Sequence, residues 1–261
     1  MARRSFLGNL RLALLVGVLL FVAVGAWLDR SRSRDWDAPL RVTVYVLTAG
    51  DDQESRSYAA GLDDDSFNDV ESFLAEQAGA FGLPLTEPMR IRISRAVHAL
   101  PPDPGAEPGV VSVVLWSLRM RWWAWRVAAN DPLPPPDIQL FAIYHPGVTG
   151  QPLPDSLGLS KGLVAVARLF AGRNAADANQ VVIMHELLHT LGASDKYDRR
   201  NGRPLVPEGL GDPSQDPRYP QTQGEIMAGR IAVSATQAEL PDSLADMVIG
   251  AATAREIGWT R

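Results

Sequence analysis

The segment His185-Glu186-Leu187-Leu188-His189 sets two imidazoles one helical turn apart, with a carboxylate beside the first. Residues i and i+4 of an α-helix share a face, so both rings can hold one metal ion, with Glu186 about 100° around the axis from His185. Metal-assisted hydrolysis needs this set: two neutral nitrogen donors, a coordination position left for water, and a carboxylate able to take that water's proton, whose pKa falls towards ~7 on the metal. Val181, Val182, Ile183 and Met184 precede the motif, so the helix is expected to be buried. Polar His and Glu inside an apolar helix need partners, which favours a metal site over a helix carrying surface histidines.

A third protein ligand is expected. The chain has four histidines, none after His189, and no cysteine. An oxygen donor must therefore complete the set unless His98 or His145 folds back; otherwise those two are read as surface residues without a role. Gly192 can take the left-handed conformation that ends a helix, turning the chain back so that Asp195 comes under the metal. Asp195, Asp198, Asn201 and Gly202 also lie close together, but their spacing departs from the EF-hand loop, and a turn capped by side chains explains them better than calcium.

His185-Glu186-x-x-His189-x-x-Gly192-x-x-Asp195 resembles the extended zinc signature of metzincin-type peptidases in its aspartate-ended version, carried by snapalysin and the immune inhibitor A peptidases. Lys196-Tyr197-Asp198 is similar to the latter. The resemblance implies Zn2+ held by His185, His189 and Asp195, with Glu186 as general base. It also implies a methionine turn beneath the metal, for which Met227 in Gly224-Glu225-Ile226-Met227-Ala228 is the candidate, 32 residues after Asp195. Gly229 stands where several metzincins have a tyrosine, leaving Tyr197, or else Tyr219, to polarise the substrate carbonyl. The alternative third ligands are Glu225 and Glu208, as in gluzincins, although Pro207 and Gly209 disfavour a helix around Glu208. The implied fold is α+β: a mixed, mainly parallel sheet with an antiparallel edge strand, an active-site helix and a C-terminal helix.

The elements that must position these residues show in the hydropathy pattern. Arg41 to Leu47 and Met89 to Ser94 alternate apolar and polar residues, the period of half-buried strands. Between them, Asp51 to Asp65 reads as an acidic loop, and Phe67, Val70, Leu74, Ala78 and Phe81 mark an amphipathic helix behind the acidic start at Asp63. Gly109 to Asp131, bracketed by proline-rich stretches, opens with a β-branched run and is expected to form a long strand or hairpin. Its Trp116, Trp122, Trp123 and Trp125, interleaved with Arg119, Arg121 and Arg126, suit a membrane-facing surface, a stacking platform or, the favoured reading, ordinary packing beside a solvated face. Ile138 to Tyr144 and Leu163 to Leu169 are further strands, the first expected to be the edge that accepts a substrate peptide. A helix over Asp177 to Leu191 carries the motif, and Asp242 to Ile257 reads as a terminal helix.

Residues 1–34 carry six arginines and one aspartate, leaving 19 basic and 29 acidic residues beyond. An acidic body is a poor match for phosphate backbones, which excludes nucleic acid as a partner. Leu12 to Leu28 has no charge in seventeen residues, and Arg11 can snorkel. This length suits an N-terminal transmembrane helix, so the expectation is a membrane-anchored protein with an extracytoplasmic domain; secretion after cleavage near Val24-Gly25-Ala26 is the alternative. Residues 35–261 then form one zinc metallopeptidase-like domain whose partner is a peptide or protein substrate. The competing expectations are a non-catalytic, metal-stabilised envelope binding protein and a zinc hydrolase acting on a non-peptide acyl bond.

Overall fold

The computed structural model describes residues 35–260 apart from 104, 106–109, 148–156 and 160–162, together with Gly17. Strand β1 (Leu40–Thr48) is followed by helices α1 (Gln53–Gly61) and α2 (Asn68–Ala80), strand β2 (Met89–Ser94), the long helix α3 (Val110–Ala129) and strand β3 (Ile138–Pro146). Strands β4 (Leu157–Leu159) and β5 (Val164–Ala171), helix α4 (Ala176–Leu191) and the short helix α5 (Ala251–Glu256) complete the main elements.

The five strands form one sheet in the order β2-β1-β3-β5-β4. All neighbours are parallel except β4, which pairs antiparallel with β5 at the edge. The structure is thus a mixed α/β fold around a mainly parallel sheet. From β1 the chain moves one way to β2, then back across β1 to β3. A single crossover hand places those two connections on opposite faces of the sheet, and the packing agrees. Val42, Val44, Leu140, Ala142, Ala165 and Ala167 face a core shared with α1, α2, α4 and α5, whereas Tyr45, Phe141, Ile143 and Val166 pack against Met120 and Ala124 of α3.

Burial on both faces corrects the expectation that β1 has one wet face. Thr43 and Tyr45 are buried because β1 is interior to the sheet and roofed on its second side by α3. The ring of Tyr45 stacks on Phe141 at 4.9 Å, and Trp123 meets Phe141 at 4.6 Å.

Gly109 to Asp131 is neither strand nor hairpin. Trp116, Met120, Trp123, Ala124 and Val127 recur at three- and four-residue spacing and supply the stripe of α3 that covers the sheet. The acidic stretch Asp51 to Asp65 also contains a helix, because the Asp52 carboxylate caps α1 by accepting from Ser55 N–H at 2.7 Å. Asp63 does the same for the 3-10 turn that leads into α2, as its acidic start suggested. The terminal helix is shorter than expected: Leu244–Asp246 is a 3-10 turn and Met247–Val248 pairs with Gly224–Glu225, so only α5 is helical.

Two further expectations change. Ile138 to Tyr144 lies inside the sheet, hydrogen-bonded on one side to β1 and on the other to β5, so the edge beside the motif helix is β4. The membrane-anchored localisation is also corrected, since among the described residues no helix is long and apolar enough to cross a membrane. Leu12 to Leu28, on which that expectation rested, lies outside the described residues apart from Gly17.

Candidate metal centre

Helix α4 runs beneath β5 and carries His185, Glu186 and His189 near its C-terminus. Asn179 ties the helix to the strand above: its amide bonds both the N–H and the carbonyl of Phe170, at 3.1 and 2.8 Å. The helix stops at Gly192, whose φ of 97° is the left-handed conformation anticipated from the sequence. Ala193 N–H then returns to Leu188 O at 3.0 Å, and the chain doubles back to bring Asp195 against the two rings.

Asp195 Oδ1 lies 3.0 Å from His189 Nε2 and 3.5 Å from His185 Nε2. An ion held at about 2.0–2.2 Å by nitrogen and oxygen donors in tetrahedral geometry sets those donors about 3.3 Å apart, between the two values. The ring nitrogens on the far side are already engaged: His185 Nδ1 bonds Ile226 O at 2.9 Å and His189 Nδ1 bonds Ala193 O at 2.8 Å. A carbonyl can only accept, so each Nδ1 carries a proton, and in the neutral ring each Nε2 presents a lone pair. Asp195 Oδ1 is buried and receives no hydrogen bond. With both rings neutral, three lone pairs converge, the arrangement a cation satisfies. His185, His189 and Asp195 form a group able to hold a metal ion.

The imidazoles of His185 and His189 hold the Asp195 carboxyl far below the usual carboxylate range, with Arg199 assisting. Arg199 Nη2 lies 2.8 Å from Asp195 Oδ2, which fixes the carboxylate with Oδ1 turned towards the rings. For His189, burial lowers the pKa, but Asp195 and the Ala193 carbonyl outweigh it and the net shift is upward. Burial pushes the Glu186 carboxyl up, against the pull of the two histidines. Glu186 is 4% exposed and its Oε2 has no protein partner, so one oxygen beside the site is free to accept a proton.

Met227 is fully buried, in the same core cluster as Met184, Leu187 and Leu188 of α4. The turn around it is held by Glu225. One oxygen of that buried carboxylate accepts from Met227 N–H at 2.7 Å and Ala228 N–H at 3.1 Å; the other accepts from Gly250 N–H at 3.2 Å and Thr253 Oγ1 at 2.6 Å. With four donors on it, Glu225 is removed from the alternative third ligands; it acts at one remove, because the turn it holds presents Ile226 O to His185. Glu208, the other alternative, lies on the exposed surface.

Tyr197 is half-buried two residues beyond Asp195, where Tyr197–Asp198 pairs with Arg203–Pro204. Asp198 is consumed locally, accepting from Arg200 N–H and Asn201 Nδ2, so the following turn is capped by side chains, as expected over a calcium loop. Sequence reasoning missed Arg199, Thr253 and Glu256, and gave Lys196 no role beyond the resemblance. Arg199 sits four residues beyond Asp195, which was a usable signal; the others meet the site only through the tertiary fold. No protein-family model and no curated protein matches the chain, so the reading of the site rests on its geometry.

Proposed function

We propose that the chain is a zinc-dependent metallopeptidase of metzincin-like design, with His185, His189 and Asp195 as ligands, Glu186 as general base and Met227 under the site. One observation carries the reading: Glu186, a buried carboxylate with an unpartnered oxygen, stands beside three converging acceptors. A site built only for structure has no use for that group, whereas hydrolysis needs a base within reach of the attacking water. The donor set of two nitrogens and one oxygen suits zinc and leaves room for a further ligand.

Zinc, when bound, supplies Lewis acidity: it acidifies a coordinated water and stabilises negative charge on a carbonyl oxygen. Glu186 takes the water's proton and delivers it to the departing amine; its upward shift brings it nearer the neutral range in which that exchange is efficient. Tyr197 is the proposed donor to the substrate carbonyl, from its place just past Asp195. The peptide adds as a strand along the outer edge of β4, the last strand of the sheet among the described residues, which lies against α4.

The test is elemental analysis of the purified full chain and of Glu186→Ala, with casein cleavage assayed on both. One zinc in each and cleavage only in wild type supports the proposal. Zinc in each without cleavage in either turns the reading to a binding protein or a non-peptide hydrolase, and no zinc removes the metal centre.

A further inference from the structure

Helix α3 is apolar on two opposite sides. One stripe, Met120 and Ala124 with Trp116, Trp123 and Val127, covers the sheet. On the far side Val114, Leu118, Trp122 and Trp125 follow one another at steps of four, four and three residues, with Leu115 beside them, and all five are exposed. Trp122 is 56% and Trp125 65% exposed. Single apolar residues on a surface are ordinary, but a continuous strip along one helix marks an interaction face.

The borders of the strip identify the occupant. Arg119 and Arg126 run along one side and Arg121 lies on the other, and Arg126 stacks over Trp122 at 4.9 Å from the ring centre. The twenty residues of α3 hold three arginines and no acidic residue, in a chain of net charge −5. A second copy would bring like charges together across the strip. The three arginines also bar the helix from crossing a bilayer, while long cationic side chains beside an apolar strip lie well at the level of anionic headgroups, with tryptophan at the boundary of water and hydrocarbon.

We propose that α3 is a lipid-docking helix: it lies flat on a surface of anionic phospholipid, its Trp122/Trp125 strip in the interfacial layer and its arginines on the headgroups. This is peripheral adsorption by a helix already folded onto the sheet, and it is independent of the chemistry at His185. The opposite face of α3 stays on Tyr45 and Phe141, so docking needs no unfolding.

The absence of cysteine permits a direct test. Leu118→Cys in the full chain, labelled with an environment-sensitive fluorophore, reports this face alone, whatever other part of the chain meets lipid. With phosphatidylcholine vesicles containing phosphatidylserine, the emission is expected to shift to the blue and brighten, the response weakening with added salt. Each of Arg119→Gln, Arg121→Gln and Arg126→Gln in that background is expected to lower partitioning about fivefold. Trp122→Gln with Trp125→Gln is expected to abolish the shift while far-ultraviolet circular dichroism stays unchanged, since both side chains point away from the core. Four results overturn the proposal: no shift on any vesicle; an equal shift on pure phosphatidylcholine; a lipid-free shift that grows with protein concentration, which assigns the strip to self-association; or a shift with polyglutamate and none with vesicles, which assigns it to an acidic protein.

Discussion

Lys196 Nζ donates to both carboxylate oxygens of Glu256 at 2.8 Å, with the lysine side chain almost fully buried. Ser194 bonds the same carboxylate through its N–H and its hydroxyl, each at 2.8 Å. Asp195 is the residue between them, so the proposed third ligand is clamped on both sides to α5. The same short helix supplies Thr253 to Glu225 and thereby steadies the turn that orients His185. Two of the three clustered residues thus take their orientation from the six residues of α5.

Glu256→Ala leaves the Lys196 ammonium buried with only Ser194 to bond it. The expected cost is about 2 kcal/mol in unfolding free energy, since a hydrogen-bonded charge loses its partner. Zinc affinity should fall about tenfold or more, because supports behind ligands act on affinity at that scale. Chemical denaturation and a competitive chelator titration measure the two effects; an unchanged zinc affinity would show that Asp195 is held without the clamp.

Glu256 also sets a pH dependence. Burial opposes ionisation, yet the bonds from Lys196 and Ser194 outweigh it and hold the carboxyl below its ordinary value of 4.5. As pH falls, the unfolded chain binds the proton first, so the clamp contributes fully above about 4.5 and its contribution is lost as pH drops through the lower folded value. Glu256→Gln should flatten this part of the acid limb of stability, read as the shift of the thermal midpoint with pH in wild type against variant.

The cluster of His185, His189 and Asp195 is legible in sequence because its members fall on one helix and the turn that ends it, where spacing dictates geometry. Strands β1 and β2 follow from alternation, β3 and β5 from short apolar runs, and helices α2 and α4 from apolar residues at helical spacing, for the same local reason. Helix α3 was misread for a physical cause: with its outer strip as apolar as its inner stripe, the periodic contrast disappears, and Val110-Val111-Ser112-Val113-Val114 reads as strand. The bonds of Glu225 to Gly250 and Thr253 and those of Glu256 to Ser194 and Lys196 escape because they join residues 25 or more positions apart, and nothing local records them.

Glu225→Gln replaces one oxygen of a carboxylate that accepts four bonds with an amide that donates, opposing two of the donors now facing it. Loss of about 2–3 kcal/mol of stability is expected, together with weaker zinc binding as Ile226 O shifts from His185. Thr253→Ser keeps the hydroxyl and should be close to neutral for metal, whereas Thr253→Val should not. A metal affinity unaffected by Glu225→Gln would separate the turn around Met227 from the proposed metal site.

Gly192→Ala places a Cβ at φ 97°, a conformation that costs an L-residue about 1–2 kcal/mol. The chain can relieve this only by moving Ala193, whose carbonyl fixes the His189 ring. The variant should therefore lose zinc affinity as well as stability, while Gly82→Ala, also at positive φ but at the end of α2, should lose stability alone.

Metal removal tests the centre from the other direction. A ligand that binds only the folded chain adds about 2.7 kcal/mol when present at a hundredfold over its dissociation constant. Chelation should therefore lower the thermal midpoint, and added zinc should restore it. Asp195→Asn keeps the shape and an acceptor oxygen but gives up the charge that the cation needs, so its midpoint should respond far less to chelator. Arg199→Ala frees the same carboxylate without removing it and should give an intermediate response. Equal responses in all three proteins would mean that the stabilising metal sits elsewhere, and the assignment of Asp195 as ligand would fall with that result.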